Sequence, residues 1–226
     1  MEDGLIVVKE FLSMNKVLIV TAVEAEKDAV KRGLDNNSRF EVIVGGVGLA
    51  EAAVSTAFAL SHSTFSTVIS AGIGGGFENK ADVESLVVAS DIRAVDMGSE
   101  TQTGFLSLEE LDLGTSKYDC DITYVEKWRK QIETFGVDVQ TGSILTTTTT
   151  TGTVQTAHKL LQRVPEARAE AMEGFGVAAA ARRVSVPVYE MRAISNVVGP
   201  RDRNEWKIKE ALAVLEKASG TIQEVF

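Results

Sequence analysis

One design recurs along the chain: a run of apolar residues stops on glycines or carboxylates and gives way to a helix. VLIVTA, from Val17 to Ala22, is the continuous apolar run expected of a strand buried on both faces. It ends in Val23, Glu24, Ala25 and Glu26, before a helix predicted over Lys27 to Leu34. FEVIVGGVG, from Phe40 to Gly48, runs into glycines and then into a small-residue helix from Leu49 to about Leu60; TVISAGIGGGF, from Thr67 to Phe77, repeats the pattern. Further strands are predicted at Glu84 to Val95, within TGSILTTTTTTG and at Ser185 to Ser195. Helices are predicted at Asp121 to Phe135, Val154 to Gln162 and Asn204 to about Glu224, and MGSETQTGF and LSLEELDLG read as polar loop. This alternation specifies an α/β domain with a mostly parallel, mixed central sheet flanked by helices. Ligands of such sheets bind at the carboxyl ends of strands, which singles out Glu24 and Glu26, residues 45–48, 72–76 and 146–152, Met172 and Glu173, and Ser195 and Asn196.

The chain of 226 residues is 44% hydrophobic, enough for one sizeable core. Only three prolines occur and no linker-like stretch interrupts the pattern, so residues 17–226 read as a single domain and residues 1–16 as an N-terminal extension. A net charge of −9 and a pI near 4.9 argue against a nucleic-acid partner, which calls for a basic patch. The N-terminus carries short apolar stretches broken by charge, so neither a signal peptide nor a membrane span is expected, and the expected location is cytoplasmic.

GGVGLAEA and GIGGGFEN both lack the third glycine of G-x-G-x-x-G, no Gly-Lys dipeptide exists for a phosphate loop, and no G-x-S-x-G elbow is present. His62 and His158 are far apart, and the one cysteine, Cys120, has no metal-ligand spacing and reads as a structural thiol. No metal and no cofactor are expected. AEAMEGFGVAAAARR, from Ala169 to Arg183, reads as a strand end with Glu170 and Glu173 flanking Met172, turning at Gly174 into an alanine-rich helix. Gly174, Gly176 and the alanines 178–181 let the backbone approach something closely. Glu173 has two readings at this point, a functional carboxylate or an acid that complements the helix dipole. Together these strand ends would line a pocket with glycine backbone, threonines, an Asn and carboxylates, which suits a neutral, hydroxyl-rich, planar ligand.

TAVEAE at 21–26, GGVG at 45–48, SAGIGGGF at 70–77, AEAMEG at 169–174 and RAISNVVG at 192–199 resemble the nucleoside phosphorylase and nucleosidase superfamily. Each is short, but they fall in the family's order at successive strand ends across residues 17–226. The likeness is to the 5′-methylthioadenosine/S-adenosylhomocysteine nucleosidase branch, and within it to the futalosine hydrolases, which release hypoxanthine from futalosine on an alternative route to menaquinone.

The resemblance implies roles for particular residues. Glu26 matches the glutamate that positions and activates the attacking water. Met172 and Glu173 match residues that cover the ribose and bind its hydroxyls, and Glu173 would stabilise positive charge on the ribosyl carbon. The backbone around Thr150 and Thr151 matches a segment along the purine edge, and Gly46, Gly48 and Gly74 would line the substrate pocket. Gly45 stands where the nucleosidases carry a serine. Asn196 stands where the adenine-specific nucleosidases carry an aspartate. Its amide is no general acid but offers two donors and an acceptor, which suits N7 and O6 of a 6-oxopurine. Arg201, Arg203 and Trp206 lie in the segment expected to cover the 5′-substituent, where they would bind a benzoate; the alternative is an exposed loop that starts the last helix. The glycine loop holds no arginine for phosphate, which favours hydrolysis. The implied partners are a purine nucleoside and a second copy of the chain in a homodimer, with no nucleic acid and no membrane. A methylthioadenosine/S-adenosylhomocysteine nucleosidase, a purine nucleoside phosphorylase and a non-catalytic nucleoside-binding protein are the alternative readings.

Overall fold

Strand β3 (Thr67–Gly76) organises the sheet in this computed structural model, which describes residues 16–102 and 104–226. The expected N-terminal extension lies, as far as residue 15, outside the described residues. Along one edge β3 pairs in parallel with β10 (Val188–Val197). Its other edge is shared: β1 (Val17–Thr21) runs parallel to its first half, and β9 (Ala167–Ala171) meets Gly75 and Gly76 antiparallel at its end. β10 pairs with β4 (Leu86–Ala94), β4 with β8 (Val139–Thr146), and β8 with β9. Strands β3, β10, β4, β8 and β9 thus close into a ring. β1 carries β2 (Phe40–Val44) outward in parallel, and the short β7 (Lys117–Asp119) pairs with β4. The main sheet has eight strands and is mixed, as expected from the alternating pattern.

Six helices cover it: α1 (Glu24–Gly33), α2 (Leu49–His62), α3 (Ile122–Thr134), α4 (Val154–Arg163), α5 (Gly174–Arg183) and α6 (Ile208–Ser219). The N-cap residue's own side chain caps two of them, Asp121 accepting from the Thr123 N–H at α3 and Thr153 from the Thr156 N–H at α4. α5 is nearly all buried, which accounts for its alanines. It packs on α2 at Gly176, where a β-carbon would lie 2.2 Å from the Leu49 carbonyl oxygen. The core runs from β1, β3 and β4 to Trp128, whose Nε1 donates to Thr221 Oγ1 at 3.0 Å. Cys120 is buried, and burial pushes its thiol pKa up, away from a reactive thiolate. No helix among the described residues is long and apolar enough to cross a membrane.

Two expectations differ from the structure. The polar loop after β4 contains a hairpin, β5 (Gly98–Thr101) with β6 (Gly104–Ser107). Its strands are short and part-exposed, so they leave no hydrophobic alternation to read. The single last helix is instead a 3-10 turn at Arg203–Glu205, α6, and another 3-10 turn at Ile222–Glu224. Trp206 is extended and the Lys207 N–H donates to the Ser195 carbonyl at 2.8 Å, which ties this junction to the end of β10. The buried stripe of α6 is accordingly Ala211, Leu215 and Ala218, with Ile208 exposed.

Candidate active site

The carboxyl ends of β1, β3, β8 and β10 and the β9–α5 junction surround a cavity of about 460 Å³, within the size range of small-molecule sites. Glu26 reaches it from the first turn of α1 and is 3% exposed. Its Oε2 accepts from the Ala22 and Val23 N–H groups at 2.8 and 3.2 Å, closing the end of the helix. Its Oε1 crosses to β3 and accepts from the Ile73 N–H at 2.9 Å. A helix cap alone would not need that second reach. Burial pushes the Glu26 pKa up, opposed by Arg192 and the Ile73 and Ala22 N–H groups and assisted by Glu173. Glu24 is exposed.

Glu173 opens α5, yet its side chain makes no capping hydrogen bond to that helix. It turns instead to accept from the Gly48 N–H at 3.1 Å and the Met172 N–H at 3.3 Å, and pairs with Arg192 Nη1 at 3.2 Å. Glu173 thus lines the cavity from the N-terminus of α5 without capping that helix by a side-chain hydrogen bond.

Arg192 is the feature that sequence reasoning missed. It is 1% exposed, and beyond Glu173 its Nε donates to Glu190 Oε1 at 2.8 Å and its Nη2 to Ser70 Oγ at 2.9 Å. It also approaches Glu26 across Gly72, where a β-carbon would lie 2.6 Å from Glu26 Oε1 and 2.7 Å from Arg192 Nη1. One guanidinium therefore pairs with Glu173 and Glu190, and its charge also acts on Glu26. Burial raises the Glu190 pKa to about 7 although Arg192 opposes it, with Glu173 adding to the rise. Charged residues in the middle of an apolar strand carry no periodic signal, and the partner Ser70 is remote in sequence. The one available cue was two charges inside the run VYEMRAIS.

Asn196 lines the cavity at a β-bulge, where Ser195 is the extra residue against β3. Ser195 Oγ donates to Asn196 Oδ1 at 2.8 Å, and Asn196 Nδ2 donates to the Val197 carbonyl at 3.0 Å. The side chain keeps one N–H and an acceptor position for a ligand. A phosphorylase superfamily model matches residues 20–226. Futalosine hydrolases from Streptomyces coelicolor and Acidothermus cellulolyticus are 44% and 42% identical, over 92% and 90% of this chain and 95% and 88% of theirs. The chain belongs to the phosphorylase superfamily and, within it, to the futalosine hydrolase family.

Solved structures of the superfamily share the fold. A 5′-methylthioadenosine/S-adenosylhomocysteine nucleosidase from Neisseria meningitidis, in complex with methylthio-immucillin-A, superposes with a TM-score of 0.80 at 19% identity, covering 94% of this chain and 100% of that one. The native futalosine hydrolase of Helicobacter pylori gives 0.80 at 14%, covering 93% and 98%.

Of the other expected site residues in this superfamily member, Gly74, Thr150, Thr151, Met172, Arg201, Arg203 and Trp206 line the same cavity. Gly46 and Gly48 do not; Gly48 contributes through its N–H to Glu173. Arg201 and Arg203 are exposed, with guanidinium carbons 5.4 and 5.9 Å from the Trp206 ring centroid, and neither forms an ion pair among the described residues. Glu170 is a third carboxylate in the cavity lining.

Proposed function

We propose that this protein is a futalosine hydrolase, which cleaves the N-glycosidic bond of futalosine with water to release hypoxanthine and dehypoxanthinyl futalosine for menaquinone biosynthesis. The observation that carries this reading is the convergence of Glu26, Glu173 and Asn196 on one cavity, in a chain 44% identical to a futalosine hydrolase.

As the bond between the ribosyl carbon and the base breaks, its electron pair leaves with the purine and positive charge grows on the sugar. Glu173, set against the ribose beside Met172, stabilises that charge more in the transition state than in the ground state. Glu26 orients a water on the opposite face of the ribose and takes its proton as the new C–O bond forms. The burial that raises the Glu26 pKa makes it a better base than a solvated carboxylate. Asn196 donates to N7 of the departing base, whose negative charge spreads onto O6. Arg192 holds Glu173 in place, while backbone N–H groups of Ala22, Val23 and Ile73 hold Glu26; the guanidinium is taken up by Glu173, Glu190 and Ser70, which leaves it poorly placed to bind phosphate. At the mouth, Arg201 and Arg203 face the 5′-substituent and pair with its benzoate, while Trp206 stacks on the ring.

The proposed setting is the cytoplasm and the proposed assembly a homodimer. The solvent face of α2 exposes Val54 and Phe58 at 69% and 67%, and a second copy would cover these side chains.

The test is incubation with futalosine, inosine, methylthioadenosine and S-adenosylhomocysteine, with and without phosphate, followed by separation of the products. Hypoxanthine from futalosine without phosphate is expected. Release of adenine instead, or a strict need for phosphate, would reject the assignment.

A further inference from the structure

Of the three carboxylates that line the cavity, Glu26 and Glu173 act in the proposed reaction and Glu170 does not. Glu170 is 6% exposed, so its burial in the cavity wall requires partners. It has one, used twice: Oε1 accepts from the Thr151 N–H at 2.7 Å and Oε2 accepts from the Thr151 hydroxyl. Since both contacts are donated to it, what Glu170 has left to offer a ligand is acceptor capacity. Thr151, in the segment expected along the purine edge, thus donates its N–H to this side chain.

The strand register places Glu170 opposite Asn196. Gly75 of β3 pairs with Glu170 of β9 on one edge and with Asn196 of β10 on the other. Register partners project from the same face of a sheet, and both side chains line the cavity. Gly75 carries no side chain between them, and the place a β-carbon would take is bounded by Val198 Cγ2 at 2.8 Å and Asn196 Nδ2 at 3.3 Å. With strands about 4.8 Å apart, the two flanking backbones stand roughly 10 Å apart, a gap that a flat two-ring base bridges with a hydrogen bond at each end.

The chemistry at the two ends differs. An amide reads either sense, since it holds both a donor and an acceptor. A carboxylate reads one sense only. The N1 position of a 6-oxopurine is an N–H donor, whereas N1 of a 6-aminopurine is a bare lone pair that would face the Glu170 oxygens. We propose that Glu170 accepts the N1–H hydrogen bond of a 6-oxopurine base and is the residue by which the site rejects 6-aminopurines. This rests on the nucleosidase reading above and names the determinant of its base preference.

The experiment compares kcat/KM for futalosine and for the same nucleoside carrying adenine, in the wild-type enzyme and in Glu170→Gln. Glutamine keeps an oxygen for the Thr151 N–H while turning an amide donor toward the base. The ratio of futalosine to adenine-nucleoside kcat/KM is expected to fall by about 10-fold or more, with a gain on the adenine substrate. Equal losses on both substrates would mean that Glu170 only braces the threonine loop, and would overturn the proposal. A second measurement needs no variant: inhibition of the wild-type enzyme by hypoxanthine and by 1-methylhypoxanthine, which lacks the N1–H. Markedly weaker inhibition by the methylated base is expected, and equal inhibition would overturn the proposal. Failure of the wild-type enzyme to release hypoxanthine from futalosine would sink the functional assignment itself, an outcome distinct from an unchanged substrate ratio in the variant.

Discussion

Gly174 lies against the carboxylate of Glu190, so close that a β-carbon at position 174 would sit 2.0 Å from Glu190 Oε2. The glycine at the start of α5 brings that helix onto the buried end of a charge chain running through Arg192 to Glu173 and on toward Glu26.

Gly174→Ala therefore cannot be absorbed without moving α5 or Glu190. Overpacking of this kind costs about 1–3 kcal/mol, and because Glu173 is the next residue, kcat should fall as well. Urea denaturation and steady-state kinetics on the variant check both effects; wild-type values in either would contradict the close approach.

Glu190 makes stability depend on pH. Its pKa rises from 4.5 to about 7 on folding because it is buried, with Arg192 opposing and Glu173 assisting. Between those values the native state holds more protons than the unfolded chain, so this contribution is intact below about pH 4.5 and is lost as pH rises toward 7. Glu190→Gln cannot ionise. Its stability relative to wild type should improve across that window, by up to roughly 3 kcal/mol at about 1.4 kcal/mol per pKa unit. Parallel denaturation curves at several pH values measure the difference, and a constant offset would refute it.

Glu26→Gln should lower kcat by about 10²- to 10⁴-fold with little change in KM, the range expected for loss of a general base. It should also destabilise the fold by about 1–3 kcal/mol, since an amide nitrogen must now face a backbone N–H that a carboxylate oxygen had accepted. A variant with unchanged kcat would remove Glu26 from the reaction.

Asn196→Asp should shift preference toward adenine nucleosides by about 10-fold or more, because a carboxyl group can carry a proton to N7, whereas the amide it replaces only donates a hydrogen bond there. Product release from paired hypoxanthine and adenine substrates reads the shift directly. No change in preference would leave Asn196 a structural member of the bulge.

Arg201→Ala and Arg203→Ala should each raise KM for futalosine and spare inosine, which lacks the 5′-carboxylate. A charge-assisted hydrogen bond of about 1.5–3 kcal/mol corresponds to roughly 10-fold or more in KM. Equal effects on the two substrates would assign these arginines to the loop rather than to the ligand.

The amino-acid sequence alone determined the alternation of buried strands and helices, because apolar runs and their punctuation by glycine are local properties. It also singled out Glu26, Glu173 and Asn196 as candidates, because each lies just beyond or at the carboxyl end of a strand, where α/β sheets bind ligands, and the structure sets all three on one cavity. The hairpin at 98–107 and the break at Trp206 were not legible, since one is too polar for periodicity and the other depends on a bond to Ser195. Only the tertiary structure decided the electrostatics of the site. Arg192, Glu190 and Ser70 lie within otherwise apolar strands remote from one another in sequence, and pairing of β3 with β10 brings them together. The same closure sets Glu170 and Asn196 on either side of Gly75, a relation between residues from three separate strands that no local pattern encodes.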